Sequence, residues 1–196
     1  MWVIIFVACM DSRETKIQRF LIQGNDMAAK QNYLEAKNYY SQALTLDSCF
    51  AEAWNNIGTV YYKEAHYPEA LQSYTEALLC KPDYPEALLN RSNTYYEVND
   101  LRSALTDLDR YDSSQPDTSV SFFSRALIYT KMRAYDSALR YFRKSFQLDS
   151  LNAEVMVNIG TVHYYKKEFD SARHALRSAQ NLDPDEPNIF NTLALI

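Results

Sequence analysis

Residues 51–84 carry the stretch that decides the fold, AEAWNNIGTVYYKEAHYPEALQSYTEALLCKPDY. Its first half spaces apolar residues three and four positions apart, as they would lie along one face of a helix. Pro68 then suits the first turn of a second helix, because a proline there loses no backbone hydrogen bond. Pro82 stands just beyond the place where that second helix must end. The stretch therefore predicts two helices joined by a short turn.

The same pattern returns along the chain with a period of 34 residues. A fixed period of this length is typical of proteins built from stacked repeats. Trp54 and Met156 mark one position of the period, which holds a large apolar residue in each repeat. Another position holds alanine in every repeat: Ala36, Ala70, Ala104, Ala138 and Ala172.

The chain contains only 3 glycines among 196 residues, whereas glycine averages about 7% of ordinary proteins. Gly24, Gly58 and Gly160 lie far apart, which excludes the glycine-rich loops that bind dinucleotides or nucleoside triphosphates. In register, all three fall at the same position inside a first helix. Because a glycine within a helix costs about 1 kcal/mol relative to alanine, its recurrence predicts a close approach between helices.

The period divides the chain into five repeats, at residues 17–50, 51–84, 85–118, 119–152 and 153–186. Residues 187–196 read as the first helix of a sixth repeat, and residues 1–16 as an apolar N-terminal segment with a lead-in. A single helix pair cannot bury its apolar faces alone, so neighbouring pairs must stack on one another. The predicted fold class is an all-α solenoid of helix–turn–helix repeats.

The residues Trp54, Ile57-Gly58, Tyr61, Tyr74 and Pro82 resemble the pattern of the tetratricopeptide repeat. The resemblance covers residues 17–186, is strongest in repeats two and five, and is weakest in repeat four. It implies a right-handed solenoid whose first helices line a concave surface.

Two repeats depart from this pattern with an arginine in the first helix. Repeat three has Arg91-Ser92, and the resemblance implies a structural pair between Arg91 and Asp107 on its second helix. Repeat four has Arg125, but Tyr141 stands at the aspartate position, so the sequence offers Arg125 no partner.

Nothing in the sequence indicates catalysis. The histidines have no zinc-protease spacing, no cysteine pair has zinc-ligand spacing, and His163 falls in a column of packing residues. The formal net charge is −5 and no basic run is present, which argues against a nucleic-acid partner. We therefore expect no enzyme activity, no cofactor and no metal.

The resemblance also implies which residues would face a partner protein on the first helices. The sixth position supplies asparagine amides, which both donate and accept hydrogen bonds, and the twelfth supplies tyrosines, which are enriched at interfaces. Repeat four would add an apolar patch. An alternative is that these asparagines bond only within the scaffold. The candidate partner-binding residues are Asn56, Asn90, Asn158, Tyr62, Tyr96, Tyr164, Phe123 and Leu127.

Residues 2–8 are continuously apolar and precede Cys9. The run is far shorter than the ~20 residues that span a bilayer, and it resembles the end of a bacterial lipoprotein signal with Cys9 as the lipidated residue. The missing basic residues would follow from a start codon placed too late. The alternative is an apolar segment that packs on the first repeat. The favoured location is the bacterial cell envelope, and the cytoplasm is the alternative.

Two further expectations concern the remaining cysteines and the C-terminal end. Cys49 and Cys80 lie at different positions of adjacent repeats, so we expect no disulfide between them. Residues 187–196 are apolar and lack a covering second helix, which predicts either a longer native chain or self-association.

These features predict a non-catalytic scaffold that binds a protein or peptide segment, with a possible lipid anchor at Cys9. The alternative is the substrate-binding region of a larger enzyme, similar to the helical-repeat part of protein glycosyltransferases.

Overall fold

The computed structural model describes residues 12–185 and residue 189. Within these residues the secondary structure is entirely helical, and the predicted all-α class is confirmed. The helices are α1 (Arg13–Ala29), α2 (Tyr33–Leu46), α3 (Ala51–Lys63), α4 (Tyr67–Cys80), α5 (Pro85–Glu97), α6 (Leu101–Ser114), α7 (Ser119–Lys131), α8 (Tyr135–Leu148), α9 (Ala153–Tyr165) and α10 (Phe169–Leu182).

The helices recur with the period that the sequence predicts. Odd-numbered helices from α3 onward begin at Ala51, Pro85, Ser119 and Ala153, which are 34 residues apart. The first helix is longer than its equivalents and begins at Arg13, ahead of the predicted repeat start at residue 17. Each odd-numbered helix is the first of a hairpin and each even-numbered helix the second.

The turns within the hairpins use the left-handed backbone region without glycine. Positive φ angles near 60° occur at the same position of all five hairpins: Gln31, Ala65, Asn99, Arg133 and Lys167. At each of these helix ends, the N–H group of this residue and that of the next residue donate to the last carbonyls of the helix, as is usual at helix C-termini. The chain thus uses residues other than glycine in these tight turns, which is consistent with its low glycine content.

The chain divides into two compact units between Thr94 and Tyr95, inside α5. In the N-terminal unit α1 packs on α2, α3 packs on α4, and α2 contacts α3. In the C-terminal unit the pairs α7–α8 and α9–α10 pack in the same way, and α8 contacts α9. The predicted alanine column is fully buried in every repeat, at Ala36, Ala70, Ala104, Ala138 and Ala172.

The recurring glycines mark close contacts between the two helices of a hairpin, as predicted. A Cβ atom added to Gly58 would lie 2.7 Å from the ring of Tyr74, and one added to Gly160 would lie 2.9 Å from Leu176. At Gly24 the equivalent neighbour is the ring of Tyr40. Real Cβ atoms do not approach so closely, so these positions admit only glycine unless the facing side chain moves.

The expectation for Cys49 and Cys80 is wrong, because the structure joins them in a disulfide with a Cα–Cα distance of 5.2 Å. Cys49 lies in the turn between α2 and α3, and Cys80 lies in the last turn of α4. Cys49 and Cys80 stand at different positions of the repeat. The end of α4, however, lies beside the turn between α2 and α3, and this brings the two cysteines together. The disulfide therefore fastens repeat one to repeat two.

Arg125 has partners that the sequence did not reveal. Its guanidinium donates to Asp112 at 2.7 Å and to Asp109 at 2.7 Å, and both carboxylates belong to α6 of the preceding repeat. Ser121 also donates to Asp112. Arg91 reaches back in the same way and donates to Thr75 at 3.1 Å. These arginines join their own repeat to the preceding one.

Several predicted features fall largely outside the described residues. Residues 1–11, including Cys9, are among them, and so is the proposed self-association segment 187–196 except for Ile189. Ile189 is fully buried against Val157, Leu176 and Ala179. None of the described helices is long and apolar enough to cross a membrane.

Candidate partner-binding surface

The candidate residues lie on the first helices, and the structure links some of them into one hydrogen-bonded chain. In the N-terminal unit Asn90 donates its amide to Asn55 at 3.0 Å, and Asn55 donates to Asn56 at 3.2 Å. Asn56 then donates to Asn25 at 2.9 Å. We call these four residues the asparagine chain. It connects the first helices of repeats one, two and three.

The asparagine chain ends on a buried tyrosine. The hydroxyl of Tyr40 donates to the side-chain oxygen of Asn25 at 2.8 Å, and burial raises the pKa of Tyr40 to about 12. The ring of Tyr40 lies against Gly24, where any Cβ atom would displace it. The glycine thus allows the ring to cross close to α1, and the ring brings its hydroxyl to Asn25.

A cavity of about 280 Å³ opens beside this end of the chain. Its polar lining consists of Asn25, Asn56, Tyr40, Thr59 and Lys63. Its size is near the lower limit of ~300 Å³ for small-molecule sites. The cavity therefore suits one polar group of a larger ligand better than a whole small molecule.

Asn158 does not resemble Asn56 and Asn90 in its bonding. It lies in the C-terminal unit and donates to the backbone carbonyl of Glu154 in its own helix, at 2.9 Å. The structure thus separates one of the three predicted asparagines from the other two.

The predicted tyrosines lie at the ends of first helices among other aromatic rings. Tyr62 is half-buried and packs against Tyr67 with ring centroids 5.7 Å apart. Tyr164 lies 5.8 Å from Tyr165 and 6.1 Å from Phe169, again between centroids.

Tyr96 has a cationic neighbour. The ammonium group of Lys131 lies 4.2 Å above its ring and donates to its backbone carbonyl. A cation placed over an aromatic face holds that face in position, so the ring of Tyr96 is already engaged.

Part of the predicted apolar patch of repeat four is buried against the core of the C-terminal unit. Phe123 packs edge-on against Phe142 at 5.7 Å between centroids, and Leu127 also packs on the core of the C-terminal unit. Both side chains are half-buried, which leaves part of their surface for a partner.

Sequence reasoning missed Asn55 and Asn25 as members of the chain. Asn55 is 6% exposed, and its buried amide is satisfied by two other asparagines. The available signal was spacing, because Asn25 to Asn56 and Asn55 to Asn90 differ from one period by a few residues. Such offsets bring side chains of adjacent first helices face to face.

No described group of three or more histidine, cysteine or acidic residues is arranged to hold a metal ion. His163, expected to be a packing residue, has a side chain only 13% exposed and lies 2.6 Å from Glu168. Its hydrogen bond, together with Lys166, holds the pKa of Glu168 below its ordinary value.

The hairpins, the 34-residue period and the buried alanine column define a helical-repeat protein. Two family models described as tetratricopeptide repeat match residues 51–84 and 123–187, together about half of the chain. The chain belongs to the tetratricopeptide-repeat family, and the predicted resemblance is confirmed. No significant match was found among the curated protein sequences.

Solved structures of tetratricopeptide-repeat proteins have the same fold. YrrB, described as a TPR protein with an unusual peptide-binding site, is 20% identical with a TM-score of 0.72, covering 93% of this chain and 98% of its own. MamA from Desulfovibrio magneticus is 14% identical with a TM-score of 0.78, covering 88% and 97%. A protein from Parabacteroides merdae is 19% identical with a TM-score of 0.78, covering 91% and 71%. At these identities the likeness shows the fold alone.

Proposed function

We propose that the protein is a non-catalytic scaffold that holds an extended segment of a partner protein along the first helices of the N-terminal unit. Its family supports a general role in protein–protein interaction, and YrrB is described as binding peptides. No observation on the described residues favours the alternative role within a larger enzyme, which stays a prediction.

The observation that carries the proposal is the asparagine chain. Each side-chain amide can donate two hydrogen bonds and accept two, and the bonds between Asn55, Asn56 and Asn25 use only part of this capacity. A peptide backbone presents the matching donors and acceptors at regular intervals. The chain is thus oriented before binding, which lowers the entropy lost when a partner is captured.

The test uses peptides selected from a random displayed library on the purified protein. Replacing Asn56 or Asn90 by alanine should weaken binding of the peptide about tenfold. The backbone group of the peptide that pairs with the asparagine would then be buried without a hydrogen-bonding partner. Asn158→Ala is the matched control, since Asn158 donates to a backbone carbonyl of its own helix. Binding should also fall when backbone amides of the peptide are N-methylated.

Equal affinities for the wild-type and Asn56→Ala proteins would contradict the proposal. So would a loss of binding in Asn158→Ala as large as that in Asn56→Ala. Circular dichroism of each variant separates lost contacts from lost structure.

We further propose that the protein works in an oxidising compartment, the bacterial cell envelope, where Cys9 carries a lipid. Disulfides persist in secreted and periplasmic proteins and are rare in the cytosol, so the bond between Cys49 and Cys80 supports this location. The apolar residues 2–8 before Cys9 support the lipid. An acyl chain gains about 0.8 kcal/mol per buried CH₂ group, and a stable anchor takes more than one chain.

Mass spectrometry of the native protein tests both parts. Digestion without reductant should yield a peptide pair linked through Cys49 and Cys80, and the mature N-terminus should be a lipid-modified Cys9. Free thiols at both cysteines would overturn the oxidising location. An intact, unmodified Met1 would overturn the anchor, and neither result would affect the peptide-binding proposal.

A further inference from the structure

A cavity of about 660 Å³ lies between the second helices α8 and α10, over the first helix α9. We call it the α8–α10 groove. Its apolar lining consists of Phe146, Met156, Ile159 and Ala175. Its polar lining consists of Arg143, Gln147, His163, Asp170, Ser171 and His174. Its volume falls within the ~300–1,000 Å³ of ligand sites, and none of its residues belongs to the asparagine chain.

The groove is open because this repeat lacks a side chain that fills the equivalent place elsewhere. In the N-terminal unit the matching cavity is about 310 Å³ and is lined by Trp54. The indole of Trp54 is held there by donating to the carbonyl of Ser48 at 3.0 Å. Met156 stands three periods after Trp54 and is thinner and more flexible.

Repeat four closes the same place in another way. Phe122 stands where repeat five has Met156, and its ring packs 6.1 Å from Tyr141 between centroids. Tyr129 stacks on the same Tyr141 at 5.4 Å. The groove of repeat five is therefore about twice as large as the matching cavity of repeat two, and aromatic rings occupy this place in repeat four.

The helices that border the groove are basic, although the chain as a whole carries a formal net charge of −5. The acidic residues on them, Asp136 and Asp170, are bonded to Lys166 at 2.9 Å and Arg173 at 2.8 Å. By contrast, α4 in the N-terminal unit carries two glutamates and no basic residue. The exposed arginines, lysine and histidine of α8 and α10 are Arg140, Arg143, Lys144, Arg173, His174 and Arg177.

We propose that the α8–α10 groove is a second docking surface, which receives an acidic amphipathic helix of a partner protein. Apolar side chains of that helix enter the groove above Met156, and its carboxylates meet Arg143 and the neighbouring cations. A groove between two helices is suited to the apolar face of a third, and complementary charge sets the orientation and speeds association. The apolar surface is recessed between two helices that both carry exposed basic residues, which favours inserted side chains over a flat bilayer. The scaffold would then hold two partners, one on each unit.

The test measures fluorescence anisotropy of a labelled peptide of leucine, alanine and glutamate, about 20 residues long so that it can form a helix. The acidic peptide should bind the full-length protein, and more weakly as salt is added. A matched peptide with lysine in place of glutamate should not bind.

Two variants test the apolar contact and the charge contact of the proposed groove separately. Met156→Trp imitates Trp54 and should fill the groove, and Arg143→Glu should reverse the charge at its rim. Each should weaken binding of the acidic peptide about tenfold. The controls are Met156→Leu, which keeps the groove open, and Arg102→Glu on α6, which reverses a charge on another repeat. Arg143 is exposed, so its variant stays informative even if Met156→Trp unfolds.

Full affinity in both Met156→Trp and Arg143→Glu would overturn the proposal, and so would equal binding of the lysine peptide. Binding of phosphatidylglycerol vesicles with the same sensitivity to both variants would also overturn it, in favour of a membrane. Asn56→Ala should leave binding of the acidic peptide unchanged. Failure of this surface is therefore distinguishable from failure of the asparagine chain.

Discussion

At the scale of single residues, the eighth position of each repeat shows how one side chain constrains its neighbour. Gly58 faces Tyr74, whereas repeat four combines Ala126 with Phe142, and both of these side chains are fully buried. A Cβ atom is therefore tolerated where the facing side chain can give way. Tyr74 is fixed because its hydroxyl donates to Thr59 at 3.3 Å.

Replacing Gly58 by alanine should destabilise the protein by about 1–3 kcal/mol through overpacking, less the ~1 kcal/mol that alanine gains in helix propensity. Adding Tyr74→Leu should recover part of that loss, because it removes the ring that the added Cβ atom would meet. Urea unfolding of the wild type, both single variants and the double variant measures the coupling. If the effects of the two substitutions on the free energy of unfolding simply add, contact with the ring of Tyr74 is not the cause of the destabilisation.

Arg125 illustrates how a residue that looks anomalous in one repeat is explained by another. Its side chain is 10% exposed, and its two carboxylate partners differ, since Asp109 is 70% exposed and Asp112 is 27% exposed. Burial opposes the charge of Arg125, but the hydrogen bonds that Arg125 donates to Asp109 and Asp112 more than offset this effect and raise its pKa. The guanidinium is thus a fixed charged link between α6 and α7.

At the scale of helices, this link should matter for the packing of α6 against α7. Asp112→Asn should destabilise the protein by about 2 kcal/mol, because it leaves a largely buried guanidinium with a weakened partner. Asp109→Asn is the matched control and should change stability by less than ~1 kcal/mol, as is usual for exposed ion pairs. Thermal unfolding of both variants checks the difference. A larger effect at Asp109 would mean that burial does not set the strength of this pair.

The two helices of a hairpin have different roles in this chain. The first helices carry the asparagine chain in the N-terminal unit, and their amides are held by neighbours one repeat away. The second helices α8 and α10 carry an exposed basic surface in the C-terminal unit. Both surfaces arise because a stacked hairpin buries only part of each helix, so the outward positions are available for binding.

At the scale of the whole molecule, the two units share one repeat pattern but differ in what they add to it. The N-terminal unit carries the disulfide between Cys49 and Cys80 and the tyrosine-anchored end of the asparagine chain. The C-terminal unit carries the Arg125 cluster and the α8–α10 groove. A repeat array lets each unit vary at surface positions while the buried alanine and large apolar columns stay the same.

The sequence by itself determined the period, the ten described helices, the buried alanine column and the close contacts at glycine. These features are periodic because every hairpin must satisfy the same packing constraint. Each of them therefore appears several times in the sequence, once in each repeat that has it. Only the tertiary structure decided the disulfide, the partners of Arg125, the membership of Asn25 and Asn55 in the chain, and the open groove at Met156. The disulfide and the polar contacts join positions of adjacent repeats at offsets that differ from 34 residues, and the groove depends on how α8 and α10 stack over α9. A period read from one sequence shows what is repeated, whereas those contacts arise from how the helices are stacked.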